Sequence, residues 1–372
     1  MNQSYGQLTR ENNSKKNEAI ENPWCPQGIL NIDRYHIIDQ LESCFNDLKS
    51  AQIFITGGTG FFGKWLLESI VAMNDLCGLD IQSTILTRNP EHFLNKMPHF
   101  CNRNDLVFVQ GDVINFALHP QPFTHVIHAA TAASVALSSE NPLLMLDTVV
   151  QGTRRVLDFA VECGARQILF TSSGAVYGVQ PTNISNITEE CLVGPDVLDP
   201  TFCYHEAKRL AEMLCAIYAK KHNIEIKIAR CFAFIGPHLP LDSHFAAGNF
   251  IRDALHGGPI NVSGDGSSLR SYLYAADLVV WLWKILCKGV SLRPYNVGSP
   301  QAVSIAELAR CVAQNSTPSG IEIRIAKKTN PLQPPARYVP DVSRACGELR
   351  LKVEIELEEA IRRTFTWLKC RQ

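Results

Sequence analysis

A tyrosine and a lysine four residues apart are the side chains of this sequence best suited to move a proton. Tyr204 and Lys208 occur in YHEAK (204–208), and on a helix a spacing of four places both side chains on one face. A tyrosine has a pKa near ~10 and is normally neutral at pH 7. An adjacent ammonium stabilises the phenolate, so we expect Lys208 to lower the pKa of Tyr204 and make it a usable acid or base. The alternative is a surface pair without function, because Y-x-x-x-K often arises by chance.

A serine at the end of a predicted strand favours the catalytic interpretation. Ser173 lies in LFTSSGAVYG (169–178), directly after strand-forming residues at 167–171. Its hydroxyl could bind the same substrate oxygen as Tyr204 and hold it in position. The carboxyl end of a strand is where such a group is expected in a nucleotide-binding enzyme.

A glycine-rich turn upstream predicts the nucleotide site. In IFITGGTGFFGKW (53–65), strand-forming residues are followed by Gly57, Gly60 and Gly63, and residues 61–70 have helical apolar periodicity. Glycines let the backbone approach a pyrophosphate, and the free N–H groups of a helix N-terminus face its charge. Because the turn lies between a strand and a helix, it indicates a bound dinucleotide.

The rest of the sequence supplies elements that would position these groups. Strands and helices alternate up to about residue 230, which predicts an α/β fold with a doubly wound parallel sheet. Beyond that residue, proline, glycine and isolated strands become common. The predicted strands lie at 83–87, 106–110, 125–128, 167–171 and 224–229, and the predicted helices at 32–48, 143–163 and 204–221.

Composition narrows the class of protein. The net charge of −1 argues against a nucleic-acid partner, and no apolar run approaches the ~20 residues that span a bilayer. The 13 cysteines form no CxxC pair and no compact Cys/His cluster. They are typical of reduced thiols in a cytoplasmic protein, and a metal site is not expected.

Taken together, the motifs resemble those of the extended short-chain dehydrogenase/reductases, a family that acts on nucleotide sugars. TGGTGFFG, Gly111-Asp112-Val113 after a strand, HAA (128–130), TSSGAVYG, YHEAK and RSYLYAADL (270–278) follow the family's order. The resemblance implies a Rossmann-type domain at 29–230, which also receives about 271–300. A smaller C-terminal substrate-binding region would comprise 231–270 and 301–372. Residues 1–28 are expected to form a polar, disordered extension.

The resemblance also implies a role for individual residues around a dinucleotide. Asp112 and Val113 would lie beside the adenine, and Ala129 and Ala130 near the nicotinamide ribose, whose hydroxyls Lys208 would also bind. Ser173, Tyr204 and Lys208 match the catalytic residues. The full set of expected cofactor-binding residues is Gly57, Thr59, Gly60, Phe61, Phe62, Gly63, Thr87, Arg88, Asp112, Val113, Ala129, Ala130, Thr131, Thr171, Tyr204 and Lys208.

On the substrate side, Arg270 matches an arginine that meets the nucleotide diphosphate of the substrate. Arg337 in PARYVPD resembles a second such residue, and Asn249 lies where a substrate-contacting loop is expected. Ser173 would bind the sugar. The helices at 143–163 and 204–221 match those that form a four-helix contact in relatives, so a homodimer is expected.

The choice between NAD and NADP stays open in the sequence. Members that prefer NAD carry an acidic residue at the end of the second strand, where it binds the ribose 2′-hydroxyl. Thr87 occupies that place here, with Arg88 next to it. An arginine could bind a 2′-phosphate, which slightly favours NADP.

The reaction is constrained by the two residues after Ser173. Dehydratases of the family place an Asp-Glu pair there, and decarboxylases place a glutamate nearby, whereas this chain has Gly174-Ala175. We therefore expect a nucleotide-sugar C4 epimerase. The alternative is an NADPH-dependent 4-ketoreductase of a 4-keto-6-deoxy sugar nucleotide; a non-catalytic dinucleotide sensor is a third interpretation, which the retained Tyr204 and Lys208 disfavour.

Overall fold

The computed structural model describes residues 28–117, 121–131, 140–243, 245–317, 320–330, 332 and 334–371. The expected N-terminal extension, residues 1–28, lies outside the described residues except for Gly28. Gly28 is fixed to the body of the protein, because its carbonyl accepts a 2.8 Å hydrogen bond from the indole N–H of Trp367.

A seven-stranded parallel sheet forms the centre of the protein. Its strand order is β3-β2-β1-β4-β5-β6-β11, which is the doubly wound order expected for a dinucleotide-binding fold with one further strand. The predicted α/β class is confirmed. The strands are β1 Gln52–Thr56, β2 Gln82–Thr87, β3 Leu106–Gln110, β4 His125–His128, β5 Gln167–Ser173, β6 Glu225–Cys231 and β11 Pro294–Val297.

Helices cover both faces of this sheet because each presents an apolar stripe to it. α1, α3 and α8 contribute to one buried core, and α5 and α6 pack against each other over the other core. The helices are α1 Asn31–Leu41, α2 Phe45–Leu48, α3 Phe61–Cys77, α4 Pro90–Lys96, α5 Pro142–Glu162, α6 Cys203–His222, α7 Ala246–Leu255, α8 Ala275–Lys288, α9 Ile305–Asn315, α10 Ser343–Leu349 and α11 Leu357–Lys369.

The prediction of one continuous helix at 32–48 is wrong. A 3₁₀ turn at Glu42–Cys44 separates α1 from α2. Cys44 in this turn is fully buried, so the chain tightens there to direct the thiol into the core.

Short strands follow the sixth strand of the main sheet. β9 (Leu269–Arg270) pairs with β12 (Val303–Ser304) in an antiparallel manner and with β14 (Arg337–Tyr338) in parallel. Two further pairs join β7 to β10 and β8 to β13. These strands are β7 Phe234–Ile235, β8 Ile260–Val262, β10 Leu273–Tyr274 and β13 Ile323–Ile325. The domain boundaries given above stay a prediction.

Within the described ranges, none of the helices combines the length and apolar character that a membrane crossing requires. The most apolar run, LVVWLWKIL (278–286), lies in α8, where nearly every side chain is buried against the sheet or against α1 and α3.

Candidate active site

The glycine turn between β1 and α3 is held by backbone contacts that tolerate no side chain. Gly57 has a φ of +73°, and a Cβ there would lie 2.5 Å from the backbone of Ala129 and Ala130. A Cβ at Gly63 would lie 2.3 Å from the Gly57 carbonyl oxygen. Gly60 caps α3 and donates its N–H to Gly57 O at 3.0 Å. The turn therefore lies directly against the end of β4, as a phosphate-binding turn requires.

A cavity of about 600 Å³ opens beside this turn at the carboxyl ends of β1, β2, β3 and β4. Its size suits a dinucleotide. Beside the glycine turn, its wall consists of backbone and small side chains. Most of the expected cofactor residues line it: Gly57, Thr59, Gly60, Thr87, Arg88, Asp112, Val113, Ala129, Ala130 and Thr131. The sequence analysis gave no cofactor role to several other lining residues: Thr56, Leu86, Gly111, Ile114, Asn115, Leu144 and Thr148. Thr56 and Gly111 stand in the quoted motifs, and the other five stand in none.

Six expected cofactor residues are not among the lining residues of the cavity: Phe61, Phe62, Gly63, Thr171, Tyr204 and Lys208. Phe61 and Phe62 pack against the core, and Phe62 meets Phe234 edge-on at 5.1 Å between ring centroids. Gly63 lies beneath the turn, and Thr171 donates its hydroxyl to His128 O at 3.1 Å. The side chains of Phe61, Phe62 and Thr171 therefore support the cavity wall from the core of the protein and do not face the cavity.

The second strand ends in Thr87 and Arg88 at the rim of the cavity. The Thr87 hydroxyl lies 3.4 Å from that of Thr59. Arg88 is exposed, and among the described residues its guanidinium has no hydrogen-bond or ion-pair partner. A cation at this place is free to meet an anionic ligand.

Ser173, Tyr204 and Lys208 come together at the carboxyl end of β5. Ser173 is the last residue of β5, and Tyr204 and Lys208 lie one turn apart on α6. The side chains of Ser173 and Thr131 lie near enough to the Tyr204 hydroxyl to act on its pKa, and Thr131 lines the cavity. The geometry thus joins the three predicted catalytic groups to the wall of the cofactor cavity.

The expected effect of Lys208 on Tyr204 is wrong for this structure. Burial raises the pKa of Tyr204 above its usual value, and the hydroxyls of Ser173 and Thr131 lower it only in part. Lys208 Nζ lies 6.0 Å from the Tyr204 ring and donates instead to Thr171 O at 2.8 Å. Spacing on a helix predicted the shared face, but it could not predict how deeply the pair is buried.

Lys208 is itself 1% exposed, and burial lowers its pKa to about 8. Its ammonium lies 4.9 Å from the centroid of the Phe170 ring. The charge of Glu212, one turn further along α6, acts in the opposite direction and favours the ammonium. Lys208 therefore sits close to the balance between charged and neutral forms near neutral pH.

A buried network fixes the strand ends beneath these residues. Arg230 of β6 binds both carboxylate oxygens of Glu212, at 3.0 and 2.7 Å. Ser172 donates to the same carboxylate at 2.6 Å, and Arg230 donates to the hydroxyl of Tyr177 at 2.9 Å. These contacts tie α6 to β5 and β6, so the position of Lys208 follows from the packing of three elements.

The candidate substrate residues lie on the short strands. Arg270 ends β9, is half-buried, and donates to its neighbour's carbonyl, Leu269 O, at 2.8 Å. Arg337 begins β14, and its Nε donates to Ser185 O at 3.1 Å. Asn249 lies on α7 rather than in a loop, and its side chain accepts from Arg252 at 3.4 Å. The helix forms there because residues 246–255 carry an apolar face that packs on the core.

Two aromatic side chains complete the site and were missed in the sequence. Phe232 and Tyr338 pack ring against ring at 4.7 Å between centroids. A Cβ at Gly174 would lie 2.7 Å from both the Phe232 ring and the Tyr338 hydroxyl. Tyr338 stands opposite Arg270 in the register of β14 and β9. A pairing of two-residue strands has no periodicity that sequence reasoning could detect.

No group of three or more His, Cys, Asp or Glu side chains suited to a metal ion occurs in the part of the chain that the structure describes.

Comparisons with known proteins agree with the fold. Residues 53–298 match the model of the NAD dependent epimerase/dehydratase family. The chain is 31% identical over 313 residues to UDP-glucuronic acid decarboxylase 2 of Arabidopsis thaliana, covering 84% of this chain and 67% of that one. It is also 31% identical to UDP-glucuronic acid decarboxylase 6 of the same plant, covering 83% and 86%.

Solved structures share the fold at lower identity. A UDP-N-acetylglucosamine 4-epimerase from Methanobrevibacter ruminantium M1 matches with a TM-score of 0.74 at 21% identity, over 87% of this chain and 99% of that one. The dTDP-glucose 4,6-dehydratase DesIV from Streptomyces venezuelae, solved with NAD bound, matches with a TM-score of 0.72 at 21% identity. That match covers 86% of this chain and 97% of the dehydratase.

Proposed function

Because this chain belongs to the NAD-dependent epimerase/dehydratase family, whose members act on nucleotide sugars, we propose that it is a nucleotide-sugar C4 epimerase. The observation that carries the proposal is at Gly174 and Ala175. Ser173, Tyr204 and Lys208 meet beside the cofactor cavity, whereas the space next to Gly174 is filled by Phe232 and Tyr338. Tyr204 provides an acid–base group for C4, and the two residues that follow Ser173 carry no carboxylate for chemistry further along the sugar.

The residues of this chain have distinct tasks in such a reaction. The residues that line the cavity would hold NAD, which would supply the hydride acceptor and donor for C4. Tyr204 takes the proton from the C4 hydroxyl and gives it back after the 4-keto sugar has turned its other face. Ser173 holds the same oxygen, and Lys208 would bind the ribose hydroxyls of the cofactor. Arg270 binds the diphosphate that anchors the sugar while it rotates.

The decarboxylases named above share sequence with this chain but are not the function that its site favours. Gly174 has no room for a Cβ, so an acidic side chain there would displace the aromatic pair, and Ala175 is 7% exposed, so an acidic side chain there would be buried. A decarboxylase that relies on a glutamate at this position therefore has no equivalent group here. Dehydration by an Asp-Glu pair is disfavoured for the same reason.

Product analysis distinguishes these reactions directly. The protein with NAD is incubated with UDP-glucose, UDP-N-acetylglucosamine, UDP-glucuronic acid and dTDP-glucose, each deuterated at C4, and products are identified by NMR. We expect one of them to give its C4 epimer with deuterium retained and no net change in cofactor. Release of CO₂ with a pentose product, or loss of water, would contradict the proposal.

Substitution of Tyr204 tests the catalytic assignment. Tyr204→Phe removes the acid–base group and is expected to lower kcat by about 10²–10⁴-fold, with NAD affinity unchanged. Tyr218→Phe is the matched control, because Tyr218 lies on the same helix and its hydroxyl contacts Asp158 away from the cavity. Near-normal activity of Tyr204→Phe would remove Tyr204 from the mechanism, and NAD binding without turnover of any substrate would favour a sensor.

A 4-ketoreductase is the second candidate, and the exposed Arg88 favours it. A dissociable NADPH would place its 2′-phosphate near the end of β2, where Arg88 has no protein partner within the described residues. Such an enzyme consumes NADPH one-for-one with a 4-keto-6-deoxy sugar nucleotide. Stoichiometric NADPH oxidation without epimerisation of ordinary nucleotide sugars would replace the first proposal by this one.

A homodimer through α5 and α6 is part of the same proposal. Leu210, Met213 and Ile217 follow helical spacing on the outer face of α6 and are 46%, 58% and 50% exposed. Burying them against a second copy would remove a stripe of apolar surface from water. We expect wild type to sediment as a dimer at micromolar concentration and Met213→Glu as a monomer; a monomeric wild type would contradict this assembly.

A further inference from the structure

One face of α5 lies against the part of the cavity wall where the adenine of a dinucleotide is expected. Thr148, Gly152 and Arg155 follow helical spacing, so they lie on the same side of α5. Thr148 lines the cavity, and a Cβ at Gly152 would lie 3.0 Å from the side chain of Val113. Arg155 is the next side chain of this face, and it belongs to none of the motifs quoted above.

A tight turn begins at Asp112 and places four consecutive residues against the cavity, namely Asp112, Val113, Ile114 and Asn115. Three backbone N–H groups close this turn by donating to Asp112. Those of Asn115 and Phe116 donate to its carbonyl oxygen at 3.1 and 2.9 Å, and that of Ile114 donates to its carboxylate at 3.0 Å. The conformation of this part of the cavity wall therefore depends on the turn, which we call the adenine turn.

Arg155 holds the last residue of the adenine turn by its carbonyl oxygen. Nε and Nη2 of Arg155 both donate to Phe116 O, at 3.1 and 2.5 Å. The guanidinium carbon lies 5.2 Å from the centroid of the Phe116 ring. The ring is 3% exposed and packs on Phe54 of β1 and Phe159 of α5, at 5.5 and 5.4 Å between centroids. Hydrogen bonds from a charged donor are the stronger kind, so this contact fixes the carbonyl group firmly.

The two ends of the adenine turn are fixed by different groups. Before the turn, the N–H of Gly111 donates to Thr87 O at 3.0 Å, which ties its start to the end of β2. After the turn, apolar packing holds the Phe116 ring, but apolar contacts are non-directional and do not fix the direction of the backbone. The two hydrogen bonds from Arg155 supply a directional contact at this end. Without them a ligand would have to order the turn when it binds, and that cost would lower its affinity.

We propose that Arg155 is a positioning residue of the cofactor site: by holding Phe116 O, it keeps the adenine turn in the conformation that receives the adenine end of a dinucleotide. α5 thus acts on the cavity through Thr148 directly and through Arg155 at a distance. This role rests on the proposed cofactor site but not on the reaction, so it applies equally to an epimerase, a reductase and a dinucleotide sensor.

The first test needs no ligand. Arg155→Met keeps an apolar stem and removes the guanidinium, and hydrogen exchange is followed by mass spectrometry on the full chain freed of bound nucleotide. We expect the three bonded amides of the adenine turn to exchange about tenfold faster than in wild type, the effect of one lost hydrogen bond to a charged group. The bonded amides of Gly60 and Lys64 in the glycine turn should keep their rates. Unchanged exchange in the adenine turn, or equal acceleration in both turns, would overturn the proposal.

Nucleotide affinity is the second test, measured by calorimetric titration with NAD and with ADP-ribose, which has the adenine end but no nicotinamide. We expect Arg155→Met to weaken both by about tenfold. Arg155→Lys should recover part of the loss, because an ammonium can donate to Phe116 O but lacks the planar fork. A loss for NAD alone, or for neither ligand, would overturn the proposal. If wild type bound neither ligand, the proposed cofactor site itself would be wrong, and this role with it.

Arg154→Met is the matched control. Arg154 is the preceding residue of α5 and is exposed, so this change removes the same charge from the same helix without touching Phe116 O. We expect the affinity for both nucleotides and the exchange of the adenine turn to stay within twofold of wild type. An equal loss of affinity in this control would assign the effect to the net charge of α5 rather than to the contact with Phe116, and the proposal would fail.

Discussion

The proposed cofactor side of this site is formed mainly by backbone, whereas the proposed substrate side is formed by side chains. On the cofactor side, Gly57 and Gly63 bring backbone within contact of backbone, and a Cβ at either would lie within 2.5 Å of main-chain atoms. On the substrate side, Arg270 and Tyr338 project from two-residue strands that pair across distant parts of the sequence.

This difference predicts how each side of the site responds to an amino-acid substitution. A turn in which backbone packs on backbone is distorted by a single added methyl group, because one main-chain atom cannot move without moving its neighbours. A surface made of side chains can be altered residue by residue while the sheet beneath it persists. We therefore expect substitutions on the first side to act on folding and cofactor together, and those on the second to act on substrate alone.

The largest effect is expected at Gly63. Gly63→Ala places a Cβ 2.3 Å from the Gly57 carbonyl oxygen, so the turn must open and α3 must shift. We expect a loss of at least about 3 kcal/mol of folding free energy and no measurable NAD binding. Denaturant unfolding and calorimetry measure the two effects.

Gly347→Ala is the control for that change. Gly347 is a helical, exposed glycine of α10, and a Cβ there meets no atom within 4 Å. Alanine should stabilise the helix by up to about 1 kcal/mol. If Gly63→Ala were tolerated equally well, the close backbone contact would not exist in the protein.

On the substrate side, Arg270 should carry the largest effect. Arg270→Ala removes a planar fork suited to two phosphate oxygens and is expected to weaken nucleoside diphosphate binding by ~2–3 kcal/mol. Arg270→Lys should recover part of this loss, because the ammonium keeps the charge but not the fork. Arg337→Ala, whose guanidinium already donates to Ser185 O, should cost about 1 kcal/mol or less.

Calorimetric titration with UDP and dTDP decides between these outcomes. NAD affinity should be the same in wild type and in all three arginine variants, which separates the two sides of the site. Equal UDP affinity in wild type and Arg270→Ala would mean that Arg270 is a structural residue of β9.

A smaller effect is expected from His128, which lies behind the cofactor side. His128 Nδ1 lies 2.7 Å from the Thr56 hydroxyl and Nε2 lies 3.1 Å from that of Thr153. Thr153 donates its own hydrogen to Val149 O, so Nε2–H donates to Thr153 and the imidazole is neutral. Burial lowers the pKa of His128 to about 3 from 6.5.

The sign of the pH dependence follows from that shift. Between pH 6.5 and about 3 the unfolded chain binds a proton at His128 that the folded protein excludes, so stability falls as the pH falls. The share of His128 is roughly 2 kcal/mol between pH 7 and pH 5. His128→Gln should flatten the stability profile over this range by close to one proton; an unchanged slope would mean that native His128 is already protonated.

The same contrast explains how far the sequence could be interpreted. The strands at 83–87, 106–110 and 125–128 match β2, β3 and β4, because buried parallel strands are continuous apolar runs. The glycine turn was predictable since its residue type is fixed by backbone contact. Ser173, Tyr204 and Lys208 were predicted to meet, and the structure brings them together.

The sequence could not predict how deeply a side chain is buried or which strands pair when they are distant in the chain. The pKa of Tyr204 depends on burial, which no local spacing reports, and the expected lowering by Lys208 was wrong for that reason. Tyr338 was missed although it directly follows Arg337, because only the pairing of β14 with β9 brings it beside Arg270. Asn249 was expected in a loop and lies on α7.

The smallest effect is expected at Arg88, a charged side chain at the rim of the cofactor cavity. Arg88 is exposed just after β2, and because an ion pair at an exposed position is weak, a 2′-phosphate would gain about 1 kcal/mol from it. Arg88→Ala should lower NADP affinity about fivefold and leave NAD affinity within twofold. Fluorescence titration with NADH and NADPH measures both, and Arg88→Lys should retain most of the NADPH affinity, because a single exposed charge is enough. If NADPH affinity were unchanged in Arg88→Ala, the 2′-position of the bound ribose would not lie at Arg88, and the reductase alternative would lose the observation that favours it.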